Sequence, residues 1–166
     1  MNKNHNKHFR IFGISLSAKG FGYAVMEGGN HLVDYRNKVL LADKNANSLI
    51  QIKKLILRYQ PDVLILHDVN AKGTYRAPRI KELHREVVAL AKRHKLTVAK
   101  LTNLELRRTL LSDPKGTKHD MAEYIAKKFP DEFASRVPPK RTAWTSEMSR
   151  MDIFDAVALA VAFKER

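Results

Sequence analysis

Residues 11–25, IFGISLSAKGFGYAV, decide the fold. Two apolar stretches flank a short polar break at Lys19-Gly20, the composition of a tight turn between two strands. A third strand-like stretch, 31–40, follows the turn residues Gly28-Gly29-Asn30, so residues 10–15, 21–27 and 31–40 are expected to form a three-strand meander. At the other end of the chain, Met151-Asp152-Ile153-Phe154-Asp155 opens a nearly continuous apolar run to Phe163. Its length predicts a buried helix over about 151–165.

Between these ends the pattern alternates. Leu49, Ile52, Ile56 and Tyr59 recur at helical spacing and predict a helix over 46–59, which Pro61-Asp62 ends. Val63 to Leu66 is an unbroken apolar run, short enough for a strand buried on both faces, as parallel strands are. Ile80, Leu83, Val87, Leu90 and Ala91 share one face of a second helix over 79–94, and Leu96 to Leu101 reads as another strand. Asn103 is the expected cap of a short helix at 104–111, and Thr117 with Asp120 makes a capping box for a helix ending near Phe129. Residues 130–150, with Pro130, Pro138 and Pro139, are expected to be a loop near the site. The reading is an α/β fold, a mixed five-stranded sheet flanked by helices, with a basic arm at 1–9 and a single domain over 10–166.

Composition narrows the partners. The 166 residues are 44% hydrophobic, enough for one core. Lys and Arg number 31 against 17 Asp and Glu, a formal net charge of +14. The surplus sits in the middle third: residues 71–118 hold 13 basic and 4 acidic side chains, whereas 119–166 hold 8 of each. One-signed charge of that density points to a polyanion, since neutralising phosphates releases condensed counterions with little sequence preference. There is no cysteine, so neither disulfides nor thiolate metal sites are available, which fits a reducing, cytoplasmic setting. No run approaches the roughly 18 apolar residues of a membrane span. The opening MNKNHNKHFR is polar and basic, unlike a secretory signal, and His5 and His8 read as solvated.

Five segments carry a resemblance to the RuvC-like Holliday junction resolvases of the RNase H-like superfamily. In GISLSAKGFGYAV it rests on Gly13, Ile14, Gly22, Tyr23 and Val25. Gln60-Pro61-Asp62 leads into the buried strand Val63 to Leu66. Glu105-Leu106-Arg107-Arg108 and Gly116-Thr117-Lys118 are similar to stretches that bring basic residues to DNA. Asp152-Ile153-Phe154-Asp155-Ala156-Val157-Ala158-Leu159-Ala160 resembles the family's Asp-x-x-Asp-Ala-x-Ala-Leu-Ala. The resemblance implies the α/β fold already described, a DNA partner, a homodimer, and four acidic residues holding Mg²⁺ or Mn²⁺. Two of the four positions differ here. Ser15 stands where the first strand carries Asp, and His67 where the fourth strand is followed by Glu.

Phosphodiester hydrolysis by two metals wants carboxylates that hold two Mg²⁺ roughly 3.5–4 Å apart. A serine hydroxyl brings no charge, and an imidazole suits Zn²⁺, Fe or Mn²⁺ better than Mg²⁺. Asp152 and Asp155, at i and i+3, share one helical face. Asp155 is the stronger candidate, because a carboxylate inside an apolar helix is costly unless paired, metal-bound or facing a polar cleft. Asp152 also reads as a helix-start acid with Ser149. Asp68 completes a candidate metal set with Asp152 and Asp155 if the strand ends before it, since strand neighbours point to opposite faces. Glu147 is the other substitute. For nucleic acid the candidates are Lys19, Lys72, Tyr75, Arg76, Arg79, Arg107, Arg108 and Lys118, with Tyr75 able to stack on a base. Trp144, beside Arg141, reads as a core plug or a stacking wedge.

The function expected is binding of branched or otherwise structured nucleic acid, DNA first, with a degenerate nuclease centre and no cofactor. The alternative is an active endonuclease using Mg²⁺ or Mn²⁺, in which Asp68, Asp152 and Asp155, with His67 or Glu147, form a rearranged site. A third reading, an interaction module without nucleic acid, conflicts with the charge of the middle third.

Overall fold

The computed structural model describes residues 8–28, 30–140 and 151–166. Three antiparallel strands, β1 (Arg10–Leu16), β2 (Gly20–Glu27) and β3 (His31–Val39), are followed by α1 (Lys44–Tyr59), β4 (Val63–His67), α2 (Pro78–Arg93) and β5 (Thr97–Leu101). Four helices complete the described chain: α3 (Asn103–Leu111), α4 (Lys118–Lys128), α5 (Pro130–Phe133) and α6 (Met151–Glu165). The strands form one mixed sheet in the order β3-β2-β1-β4-β5, with β4 parallel to both β1 and β5.

Strand alternation sorts the core into two layers. Phe12, Ile14 and Leu16 of β1, Phe21, Tyr23 and Val25 of β2, and Leu64 and Leu66 of β4 pack against α1 and α2. Ile11, Ala24, Met26, Val63 and Ile65 face the other way, onto α3, α4 and α6. By the same period of two, Gly13, Ser15, Ser17, Gly22 and His67 belong to the α6 side. Small residues there let the helix come close. A Cβ on Gly13 would lie 2.3 Å from the Ala156 carbonyl oxygen, and one on Gly22 would lie 2.3 Å from the Asp152 carbonyl. Gly13 and Gly22 are thus the groove in which α6 lies, and α6 is apolar all round because sheet and helices cover it.

Asp34 ties the edge of the sheet to its neighbours. Its Oδ2 accepts from the Tyr23 hydroxyl at 2.7 Å and the Tyr59 hydroxyl at 2.6 Å, joining β3 to β2 and α1. Burial works against this carboxylate, but the two hydroxyls and the Arg36 guanidinium outweigh it and hold its pKa below the ordinary range. The same carboxylate and burial push the Tyr23 phenol well up.

Two sequence expectations shift. The cap of α3 is Thr102 rather than Asn103, because Thr102 Oγ1 accepts from Glu105 N at 3.1 Å while Glu105 Oε2 accepts from Thr102 N at 2.7 Å. Residues 130–133, expected within a loop, form the short helix α5, opened by Pro130 and anchored by fully buried Phe133. Among the described residues no helix is long and apolar enough to cross a membrane.

Candidate functional site

Parallel strands β1, β4 and β5 all end on the same edge of the sheet, the edge where α6 begins, and the ends of such strands are where open α/β sheets place their sites. The pairing Ile14↔Leu66 carries Ser15 to the level of His67 on the next strand. On the other side Ser15 pairs with Gly22, above which Asp152 is seated. The register therefore brings Ser15 level with His67 and, through Gly22, beside the first turn of α6 where Asp152 lies.

The two α6 carboxylates are buried, Asp152 6% exposed and Asp155 7%. Each has a specific partner. Asp152 Oδ2 accepts from the Ser17 hydroxyl at 2.7 Å. Asp155 Oδ2 accepts from Lys118 Nζ at 3.3 Å. Burial raises the pKa of Asp155, and the charge and hydrogen bond of Lys118, together with the charge of Arg76, pull the other way. Lys118 is delivered by the start of α4, where the expected capping box forms. Thr117 Oγ1 accepts from Asp120 N at 3.1 Å, and Asp120 Oδ2 accepts from Thr117 N at 2.8 Å. A crevice of about 60 Å³ at this point is lined by His67, Arg107, Thr117, Lys118 and Asp155 among others.

Asp68 follows the last residue of β4. Its N–H donates to Leu101 O at 2.9 Å, and its Oδ1 accepts from Asn70 N at 3.0 Å, an Asx turn that starts the β4–α2 loop. Among the described residues no group of three or more His, Cys, Asp or Glu is placed to hold a metal ion. A two-metal centre asks for several carboxylate oxygens around each cation. Here one carboxylate takes a hydroxyl, the other an ammonium, and Ser15 adds no charge. The described donors do not fit such a centre. Glu147, Ser149, Arg141, Trp144 and His5 lie outside the described residues.

The candidate nucleic-acid residues are spread over the β1–β2 turn, the β4–α2 loop, α2, α3 and α4. Lys19 is exposed in the β1–β2 turn, Lys72 and Tyr75 in the β4–α2 loop, and Arg108 on α3. Tyr75 is 87% exposed. It stands at a groove of about 600 Å³ whose lining includes Arg76, Lys81, His84, Arg85 and Lys100. Arg107 donates to Pro114 O at 3.2 Å. Arg79 is tied inward, its guanidinium donating to Asn45 Oδ1 at 2.8 Å and Ala18 O at 3.2 Å, so it braces the β1–β2 turn against α1.

Two residues of the site escaped the sequence reading. Ser17 lies two residues beyond Ser15, a spacing that puts both on the α6 side; that period was the available signal. Buried His84 approaches His67 O through Nε2 at 3.1 Å. Burial, and then the Lys100 charge, depress its pKa, so the ring is neutral and this nitrogen carries the proton, because a carbonyl can only accept. Its position on the apolar face of α2, four residues after Ile80, was the signal.

Comparison with known proteins places the fold. No family model matches the sequence, and no curated protein matches it. Among solved structures, Thermus thermophilus RuvC superposes with a TM-score of 0.68 at 12% identity, covering 93% of this chain and 92% of that one. T. thermophilus RuvC in complex with Holliday junction substrate superposes with a TM-score of 0.63, at the same identity and coverage. The chain has a RuvC-like fold.

Proposed function

We propose that the protein binds structured or branched nucleic acid, DNA first, and that its carboxylate centre has departed from two-metal nuclease chemistry. The observation that carries this reading is the charge arrangement at one edge of the sheet. Lys118 and Arg107 line the Asp155 crevice, Arg76 acts on Asp155 and also lines the α2 groove, and Tyr75 stands exposed beside it. Cations that follow a backbone together with an exposed ring that can stack are the two ingredients of binding without base readout. A structural neighbour solved with a Holliday junction supports a branched substrate as the first one to try. The test is binding and cleavage of a four-way junction and of duplex DNA, with Mg²⁺ and with Mn²⁺. The reading expects junction binding without strand cleavage. Efficient metal-dependent cleavage lost on Asp68→Asn would replace it with the rearranged-endonuclease reading.

A further inference from the structure

A carboxylate cluster built for divalent metals is anionic until the metals arrive, and it repels the phosphate it must bind. Here the chain sets cations of its own beside one of the acids. Among the described residues, Asp155 has three basic side chains about it. Lys118 Nζ lies 3.3 Å from Asp155 Oδ2, Arg107 lines the same crevice, and Arg76 is near enough to act on Asp155 through its charge. Burial disfavours the charged form of Asp155, and a cation beside it works against that cost. An ammonium at this position and a divalent ion would neutralise the same charge, and the presence of one removes the attraction for the other. The geometry of Lys118 is also supported independently. Its helix starts at a complete capping box one residue earlier, which fixes where the side chain departs. The lysine side chain is 46% exposed.

We propose that Lys118 is the resident cation of the Asp152–Asp155 site, standing where a divalent metal would, and that the cleft docks a nucleic-acid phosphate without metal. The second half rests on the nucleic-acid reading above; the first does not. The site is a phosphate-docking cleft held by an internal ion pair. Removing the lysine charge should reopen the carboxylates to a divalent ion.

The experiment uses the full chain and Mn²⁺ as the probe. Thermal unfolding midpoints are compared in EDTA and in Mn²⁺ at constant ionic strength for the wild type, Lys118→Ala, and Lys118→Ala with Asp155→Asn. Junction affinity is measured in the same buffers. The wild-type midpoint should not respond to Mn²⁺, Lys118→Ala should gain a Mn²⁺-dependent rise, and Asp155→Asn should abolish that gain. Wild-type junction affinity should agree within about twofold between buffers, while Lys118→Ala binds about tenfold more weakly in EDTA and recovers in Mn²⁺. Should Lys118→Ala fail to fold, Lys118→Gln, which keeps a donor toward Asp155 without the charge, carries the same test. A wild-type midpoint that rises with Mn²⁺ as much as the variant's overturns the role of Lys118. Junction binding that collapses in EDTA overturns metal-free docking, and a wild type that binds no junction in either buffer overturns the nucleic-acid reading while the Mn²⁺ response still decides the role of Lys118.

Discussion

Gly22→Ala tests how α6, and with it both carboxylates, is seated. An added Cβ would meet Asp152 C and O at 2.3 Å and Asp152 Cβ at 2.7 Å. Ordinary contacts between such atoms lie at about 3.5 Å, so the helix backbone must withdraw by about 1 Å. The obstacle is main chain, which no rotamer change can move aside. Overpacking of this kind costs about 1–3 kcal/mol, and the lower entropy of the unfolded Ala chain offsets roughly 0.4–1 of it. A net loss of about 1–2 kcal/mol should lower the unfolding midpoint by roughly 2–8 °C in a chain of this size. The same withdrawal should lengthen the 2.7 Å Ser17–Asp152 bond and loosen the site. Urea unfolding followed by circular dichroism measures the cost, and Gly13→Ala, which meets Ala156 O at 2.3 Å, should behave alike. Variants as stable as the wild type, with unchanged denaturant slope, would refute the docking described.

The Asp34 carboxyl has a depressed pKa in the fold, so its contribution is present above the ordinary carboxylate range and is lost as pH falls through the folded value. Asp34→Asn should therefore cost about 2–3 kcal/mol at neutral pH and progressively less in acid, read by urea unfolding across a pH series. Lys118→Ala in EDTA should destabilise by about 1–3 kcal/mol, less than a fully buried pair because the lysine is half-exposed. Asp155→Asn, which leaves a solvated lysine, should cost less than Lys118→Ala in the same assay. Tyr75→Ala should weaken binding to junctions with unpaired bases by about 1–3 kcal/mol with no change in stability, whereas Arg79→Ala, which breaks the brace to Asn45 and Ala18, should lower the unfolding midpoint.

Strand and helix order was legible because each element buries a face with its own period. Val63 to Leu66 reads as a doubly covered strand for the same reason that it is one. What escaped depends on contacts distant in sequence. Ser17 meets Asp152 across 135 positions, and the period of two gives its side of the sheet but not that bond. Thr102 wins the α3 cap over Asn103 through a reciprocal bond with Glu105, a choice of one residue that periodicity does not resolve. Arg79 reads as a phosphate contact from its basic neighbourhood, yet its position in the first turn of α2 directs it onto Asn45. For the site, Ser15 and His67 stood out in the sequence as departures from the resemblance, but the pairing of Lys118 with Asp155 did not. The sequence places that lysine 37 residues away, in a basic stretch, and only the packing of α4 on α6 turns it toward the acid.

The most direct measurement is a salt titration of four-way junction binding carried out in EDTA. If Lys19, Lys72, Arg76, Arg107 and Lys118 each neutralise a phosphate, affinity should fall about five hundredfold between roughly 50 and 200 mM salt, with binding intact in the absence of any divalent ion. An affinity that stays flat over that range, or binding that emerges only when Mg²⁺ is added, would contradict the account.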